Sequence, residues 1–419
     1  MLKIDTGDTT FLILSIALVF LMTPGLALFY GGMVRKKNVL NTMINSFVII
    51  ALISIQWIIL GYSIAFGPDK FHLFGNLDWF GFNHVGMNPN PDYVSSAPHI
   101  TFAMFQLMFA IITPAIITGS IAERMKFPAL IAFMLLWSTL VYDPLAHWSW
   151  GTDGWLRNLG VLDFAGGTVV HISSGIAGLT AALVLGRRKG YKKIPMLPHN
   201  IPLVMIGVGL LWFGWFGFNG GSALHADGLA AHAILTTNTA AAAAVLSWLI
   251  LEWIYYKKST LLGAATGAVV GLVAITPAAG FVTPISAIII GLTVSPICYH
   301  AVSILKSKLG YDDSLDAFGC HCIGGIWGAI ATGIFATKNV NPAGADGLLY
   351  GNFAQLGYQV IGILATIVFS SVLSFLILKT ISLFTELRVS SKEENIGLDI
   401  SQHGEEAYSD TTGEQSIAL

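Results

Sequence analysis

Long apolar runs separated by short polar connections make up most of the chain. They predict eleven helices over residues 9–32, 39–66, 99–121, 127–147, 164–186, 200–219, 230–255, 261–279, 283–305, 316–336 and 352–384. A run of about 20 apolar residues is what a helix needs to cross a hydrocarbon core of about 30 Å. The one long connection, residues 67–98, is rich in Asn, Pro, Gly and aromatics and reads as an ordered aqueous cap, not a domain. Gly263, Gly267 and Gly271 in the eighth run, and Gly324 and Gly328 in the tenth, recur every four residues. That spacing lets helix backbones approach closely and points to packing. From about Glu386 the pattern turns polar and mixed in charge, dividing the chain into a membrane body, 1–385, and a tail, 386–419. Such a tail is often disordered alone, and docking on basic loops is the other reading open to it.

Composition agrees with this pattern. Hydrophobic residues make up 54% and charged residues 11%, against about 25% charged in an ordinary soluble domain. With a mean hydropathy of +0.71, the chain is an all-α polytopic membrane protein. The net charge of -2 says nothing about partners, and nothing suggests nucleic acid. Met1 to Thr10 lacks a basic region and a small-residue cleavage site, so the first run is expected to be retained. The three cysteines, Cys298, Cys320 and Cys322, fall in or beside apolar runs, and their odd number argues against a disulfide framework.

Charge placement gives an orientation. With the loop after the first helix inside, 17 of the 21 Lys and Arg lie on the cytoplasmic side, leaving Lys3, Lys70, Arg157 and Lys338 outside. The N-terminus is then outside and the tail inside, which requires an odd number of helices. The chain also hints at a repeat: Ile112-Thr113-Pro114-Ala115 in the third helix and Ile275-Thr276-Pro277-Ala278 in the eighth, then Asp163 and His171 at the fifth and Asp316 and His321 at the tenth. Units of five helices, 1–5 and 6–10, run in opposite directions through the membrane. That is an inverted repeat, which places a transport path at the interface, with helix 11 as an extra element.

Polar side chains at lipid depth are costly unless they face protein or a water-filled path. Asp163, His171 and His321 are such residues. A neutral imidazole both donates and accepts, so two in line can pass a small hydrogen-bonding molecule or a proton; the alternative is a plain interhelical hydrogen bond. Asp163 precedes His171 by eight residues, too far to be its partner on an ideal helix, and is expected near the outer mouth. Asp316 is expected to cap a helix or order a loop. Phe102, Phe105 and Phe109, with Trp148, Trp150 and Trp155, supply aromatic faces at the outer side, where cation–π attraction suits an ammonium-like ion. The run Trp212 to Ser222 interleaves rings with glycines and ends on a hydroxyl, the pattern of a gate with a hydrogen-bonding vestibule. Cys320-His321-Cys322 cannot converge on one metal while the helix stays regular, because successive residues point about 100° apart. No metal, cofactor or catalytic constellation is expected, and an enzyme is disfavoured.

Four motifs, Asp163-Phe-Ala-Gly-Gly-Thr-Val-Val-His171, Ala122-Glu123-Arg124, Trp215-Phe216-Gly217-Phe218-Asn219 and Asp316-Ala-Phe-Gly-Cys-His321, stand out along the chain. Together they resemble the ammonium transporter (Amt/Mep/Rh) family over essentially the whole length. The resemblance implies eleven helices in two inverted units and a homotrimer with a pore in each subunit. It implies Phe109, Trp150 and Ser222 as an ammonium recruitment site, Phe105 as its wall, Phe109 and Phe218 as a gate, and His171 and His321 as pore histidines. Asp163 would support the outer site by ordering backbone. Trp150 and Ser222 favour the Amt branch. Cys320 and Cys322 depart from the family's pattern. Gly397-Leu-Asp-Ile-Ser-Gln-His403-Gly-Glu-Glu-Ala-Tyr-Ser409 resembles the family's tail, which implies cooperation between subunits and regulation by PII-type proteins. The expected function is inward ammonium or ammonia transport across the cell membrane. A sensor signalling through its tail is the alternative, and a gas or urea channel is disfavoured by the cation-binding aromatics and Ser222.

Overall fold

The computed structural model describes residues 3–408. Among these, ten helices are long and apolar enough to span a membrane: α1 (Thr6–Met33), α2 (Lys36–Phe66), α3 (His99–Ile121), α4 (Phe127–Leu159), α5 (Gly167–Leu185), α6 (Ile201–Gly221), α7 (Gly228–Tyr256), α9 (Pro284–Leu309), α10 (Phe318–Phe335) and α11 (Phe353–Ile381). The eleventh, α8 (Leu261–Ile275), is apolar but shorter, about 22 Å at 1.5 Å per residue. It ends four residues before the sequence pattern does. The chain turns at Thr276 and Pro277, and the freed Pro277 carbonyl accepts the Phe164 N–H at 3.2 Å. Buried from Val269 to Ile275, its far end is covered by protein rather than lipid.

Two ends of helices shape the pore. In α4 the helix breaks after Trp150, and a Cβ at Gly154 would lie 2.0 Å from the His147 carbonyl oxygen; glycine there lets the chain fold back into the Trp155–Leu159 turn. Before α5, Asp163 lies outside the helix and caps it. Its carboxylate accepts the N–H groups of Gly166 (2.9 Å), Gly167 (2.6 Å), Thr168 (2.8 Å) and Val169 (3.3 Å), and the Thr168 hydroxyl. These are donors that a helix start leaves unpaired.

The repeat is visible in the bonding. Phe164 N–H donates to Pro277 at the end of α8, and Ser314 N–H donates to Ser120 at the end of α3 (3.3 Å). Each half thus lends its loop to the other. The counterpart of Asp163 is Asp313, eight residues before His321 as Asp163 is before His171; its carboxylate accepts the Phe318 N–H at 2.8 Å. Asp316, expected in that role, instead pairs with Lys306 at 2.7 Å. Nor are the two Ile-Thr-Pro-Ala tetrads equivalent. The bonding aligns Pro277 with Ser120, six residues beyond Pro114, so that match is coincidental. Both histidines lie in wide π-helical turns, Gly167–Ile172 and Phe318–Cys322, which re-aim a side chain and are common at functional sites.

Residues 67–98 form a cap over one mouth, holding a short hairpin, Asp69–Lys70 with Phe74–Gly75, and a ring stack of Tyr62 on Trp79 at 5.4 Å. The tail lies on the opposite face. Val389 N–H donates to the Arg124 carbonyl (3.0 Å) and Lys126 N–H to that of Leu387 (2.9 Å). A short helix α12 (Ser391–Ile396) comes next, started by a Ser390/Glu393 capping box. Asp399 then accepts the Asn41 N–H at 2.8 Å, and Leu398 N–H donates to Asn38 at 2.8 Å. The tail is docked as far as Tyr408; Ser409, the last residue of the tail motif, and residues 410–419 lie outside the described residues.

Candidate functional site

Beneath the cap loop a vestibule of about 610 Å³ is lined by Phe109, Trp150, Asp163 and Ser222 among others. Trp150, not Trp148 or Trp155, faces it; Trp148 packs instead on Phe369, rings 4.4 Å apart. The Trp150 indole N–H donates to the Asp163 carbonyl at 3.0 Å, and Arg157 donates to the Trp150 carbonyl at 2.9 Å. Trp150 is therefore held from both sides, one of them the residue that caps α5. Its ring stands edge-on to Phe109 at 5.9 Å. Ser222 Oγ donates to the Phe218 carbonyl at 2.8 Å, leaving its lone pairs to accept from a ligand. Phe105 is fully buried one ring behind, 5.0 Å from Phe109.

The vestibule is closed at its base by Phe109 and Phe218, ring centroids 4.3 Å apart and tilted by 40°. Immediately behind, an apolar passage of about 10 Å³, lined by Val170, Trp215, Phe218 and both histidines, holds scarcely one water-sized molecule. His171 Nδ1 and His321 Nδ1 approach to 3.3 Å. Two ring nitrogens can bond only if one carries the hydrogen and the other accepts it. The imidazoles are therefore opposite tautomers, and their outer nitrogens offer one donor and one acceptor to the passage. Among the described residues, nothing bonds His171 Nε2. A neutral polar guest can hand hydrogen bonds along this pair, in a passage otherwise walled by rings, aliphatic carbon and the Met22 thioether.

Sequence reasoning gave Trp215 no role. It stacks on His171 at 5.4 Å and 28°, and its indole N–H donates to Thr276 Oγ1 at 2.9 Å, fixing the plane of the imidazole. Its place in the Trp215-Phe216-Gly217-Phe218-Asn219 motif was the available signal. Asp313 was also missed, although its eight-residue spacing to His321 could have identified it.

Beyond the histidines a chamber of about 110 Å³ contains His321 and Asp316, and opens to a basin of about 390 Å³ on the tail side. Here Ala122-Glu123-Arg124 anchors an ion network. Glu123 binds Arg35 at 2.9 Å and Arg188 at 2.8 Å, and Arg188 binds Asp312 at 2.8 Å. Burial pushes the Glu123 carboxyl up, but Arg35 and Arg188 outweigh it and hold it at about 2. Cys298, Cys320 and Cys322 are buried free thiols.

Comparison with known proteins agrees with this geometry. The profile of the Ammonium Transporter Family matches residues 10–408. The chain is 55% identical over 405 residues to an ammonium transporter of Bacillus subtilis (strain 168), covering 97% of this chain and 99% of that protein. It is 50% identical over 409 residues to an ammonium transporter of Aquifex aeolicus (strain VF5), with 97% and 94% covered. The crystal structure of Saccharomyces cerevisiae Mep2 superposes with a TM-score of 0.87 at 38% identity, covering 93% of this chain and 91% of that one. Its multi-pass, all-α body has the eleven-helix fold of these relatives, and the chain belongs to the ammonium transporter family.

Proposed function

We propose that this ammonium transporter captures ammonium from the cap-loop side, strips its hydration behind Phe109 and Phe218, and conducts nitrogen toward the tail side along His171 and His321. Phe109 and Trp150 present ring faces to the cation and Ser222 accepts a hydrogen bond from it, with Phe105 supporting Phe109. Asp163 acts on geometry, through the backbone of α5 and the Trp150 indole. Selectivity over potassium follows from chemistry: ammonium can release a proton and donate hydrogen bonds, and potassium can do neither. The observation that carries this reading is the 3.3 Å contact between the two Nδ1 atoms directly behind the paired phenylalanines.

The cap-loop side is taken as extracellular and the tail side as cytoplasmic, because 17 of the 21 Lys and Arg fall on the latter. Residues 1–385 are then the transport body in the cell membrane and 386–419 the cytoplasmic tail. The family resemblance supports a homotrimer and, through the tail motif beginning at Gly397, a PII-type protein as its regulator. Replacing His171 and His321 together with leucine is expected to abolish selective ammonium uptake into proteoliposomes. Uptake of normal selectivity by that double variant would sink the pore assignment.

A further inference from the structure

The tail-side mouth holds an ion pair that neither the gate nor the histidines use. Asp316 lines both the chamber containing His321 and the wider basin beyond, so it stands where one opens into the other. Lys306 Nζ contacts its Oδ1 at 2.7 Å. The pair is built into the fold. Lys306 follows the π-helical turn Ala301–Leu305 of α9, and Asp316 has a left-handed backbone, φ +59°, a conformation costly for a residue other than glycine and concentrated at functional sites. Asp316 is free of capping duty, because Asp313 accepts the Phe318 N–H. The other cations of the basin are committed elsewhere: Arg188 to Glu123 and Asp312, and Lys192 to the Ser307 carbonyl at 2.6 Å.

The group on this carboxylate is a primary ammonium, a compact charge with three N–H donors. It is a tethered relative of ammonium, the form that delivered nitrogen takes when protonated in the chamber. We propose that Asp316 is an exit station for ammonium-class cations and that Lys306 is its built-in competitor, which displaces the departing ion and keeps cytoplasmic ammonium from refilling the mouth. The proposal rests on the transport reading and orientation above. The latch leaves the equilibrium unchanged, since only the gradient sets that; it changes how strongly product inhibits. A group on a short tether acts at an effective concentration on the order of millimolar or more, so free ammonium competes only above that range.

The test loads right-side-out proteoliposomes with increasing internal ammonium and measures initial uptake, each protein normalised to its own rate with an empty lumen. Uptake by the wild type into empty vesicles tests the transport reading separately. Wild-type uptake is expected to be half-inhibited only at millimolar internal ammonium. Lys306→Gln and Lys306→Met are each expected to lower that concentration about tenfold, and Lys306→Gln combined with Asp316→Asn to restore it. A mouth merely widened by losing the lysine would leave the double variant as sensitive as the single one, and that result overturns the proposal. So do single variants within twofold of the wild type. Should neither variant fold, wild-type half-inhibition well below millimolar overturns it and half-inhibition at millimolar supports it.

Discussion

The two mouths of the pore are built from one pattern, an aspartate eight residues before a histidine, and put to opposite uses. On the cap side Asp163 accepts four backbone N–H groups and a hydroxyl, and the space above it is a wide aromatic vestibule. On the tail side Asp313 accepts the Phe318 N–H, and the space is divided by the Lys306–Asp316 pair. The vestibule walls carry Asp92 and Asp163 against Arg157, whereas the basin carries Arg188, Lys192 and Lys306 against Asp316. On the proposed transport reading the aromatic vestibule receives the cation, whereas at the second mouth Arg188 is already neutralised by Glu123 and Asp312 and the Lys306–Asp316 pair is left to meet it. The repeat supplies a symmetric frame for the histidines, and the function lies in where the halves stop being symmetric.

The largest effect that separates the mouths is at the capping aspartates. A hydrogen bond to a charged group contributes about 1.5–3 kcal/mol, and Asp163→Asn weakens several at once in the loop whose main-chain carbonyl holds Trp150. A loss of about 3 kcal/mol in positioning corresponds to about a hundredfold lower initial uptake. Asp313→Asn weakens a single such bond and is expected to cost about tenfold or less. Equal losses, measured as uptake per folded protein, would mean that the two caps matter alike.

A smaller effect sharpens the cap-side role. Removing an aromatic face or a hydroxyl acceptor takes about 1–2 kcal/mol from cation binding, so Trp150→Leu and Ser222→Ala are each expected to raise KM about five- to thirtyfold. The rate at saturating ammonium should change far less, because neither residue lines the passage between the histidines. A fall in the saturating rate with constant KM would move these residues from recruitment to the gate or pore.

Much of this is legible in the chain, for physical reasons. Apolar runs of spanning length have few alternative folds, and imidazoles within them are too costly to be incidental. Less legible is whatever depends on where a helix ends. Hydropathy continues through Thr276 and Pro277, so α8 reads four residues too long, and its true end is set by the Phe164 bond from the other half. Asp163 reads as lying on a helix face because periodicity cannot show that α5 starts at Gly167. Asp316 suggests itself as the repeat mate because it is nearer His321, and only the bonding shows that Asp313 fills that place. Tail docking is one of two readings the sequence leaves open, since its anchors, the Arg124 carbonyl and the Asn38 and Asn41 side chains and backbone, belong to loops far away in the chain.

The smallest expected effect concerns how that tail holds the charged mouth. His403 faces Asn41, whose amide lies 2.9 Å from Nε2, and its ring stands edge-on to Phe127 at 5.0 Å. Burial lowers its pKa, against the pull of Asp399 and Glu405. A histidine whose docked pKa is depressed favours docking when neutral. Its contribution is fully present above the ordinary value of about 6.5 and is lost as pH falls from there toward the docked value. Asp399 has the opposite sign. Burial raises its pKa, so docking gains from its protonation only as pH falls through the carboxylate range, below the histidine window. Between pH 7.5 and 5.5 the tail should therefore loosen by a few-fold, read as faster proteolysis between α11 and Tyr408, while the cap loop is cut at an unchanged rate. His403→Asn keeps a hydrogen-bonding group opposite Asn41 without a titrating ring and should flatten that dependence. A tail that loosens equally in the variant would place the acid sensitivity in another group of the tail-side network.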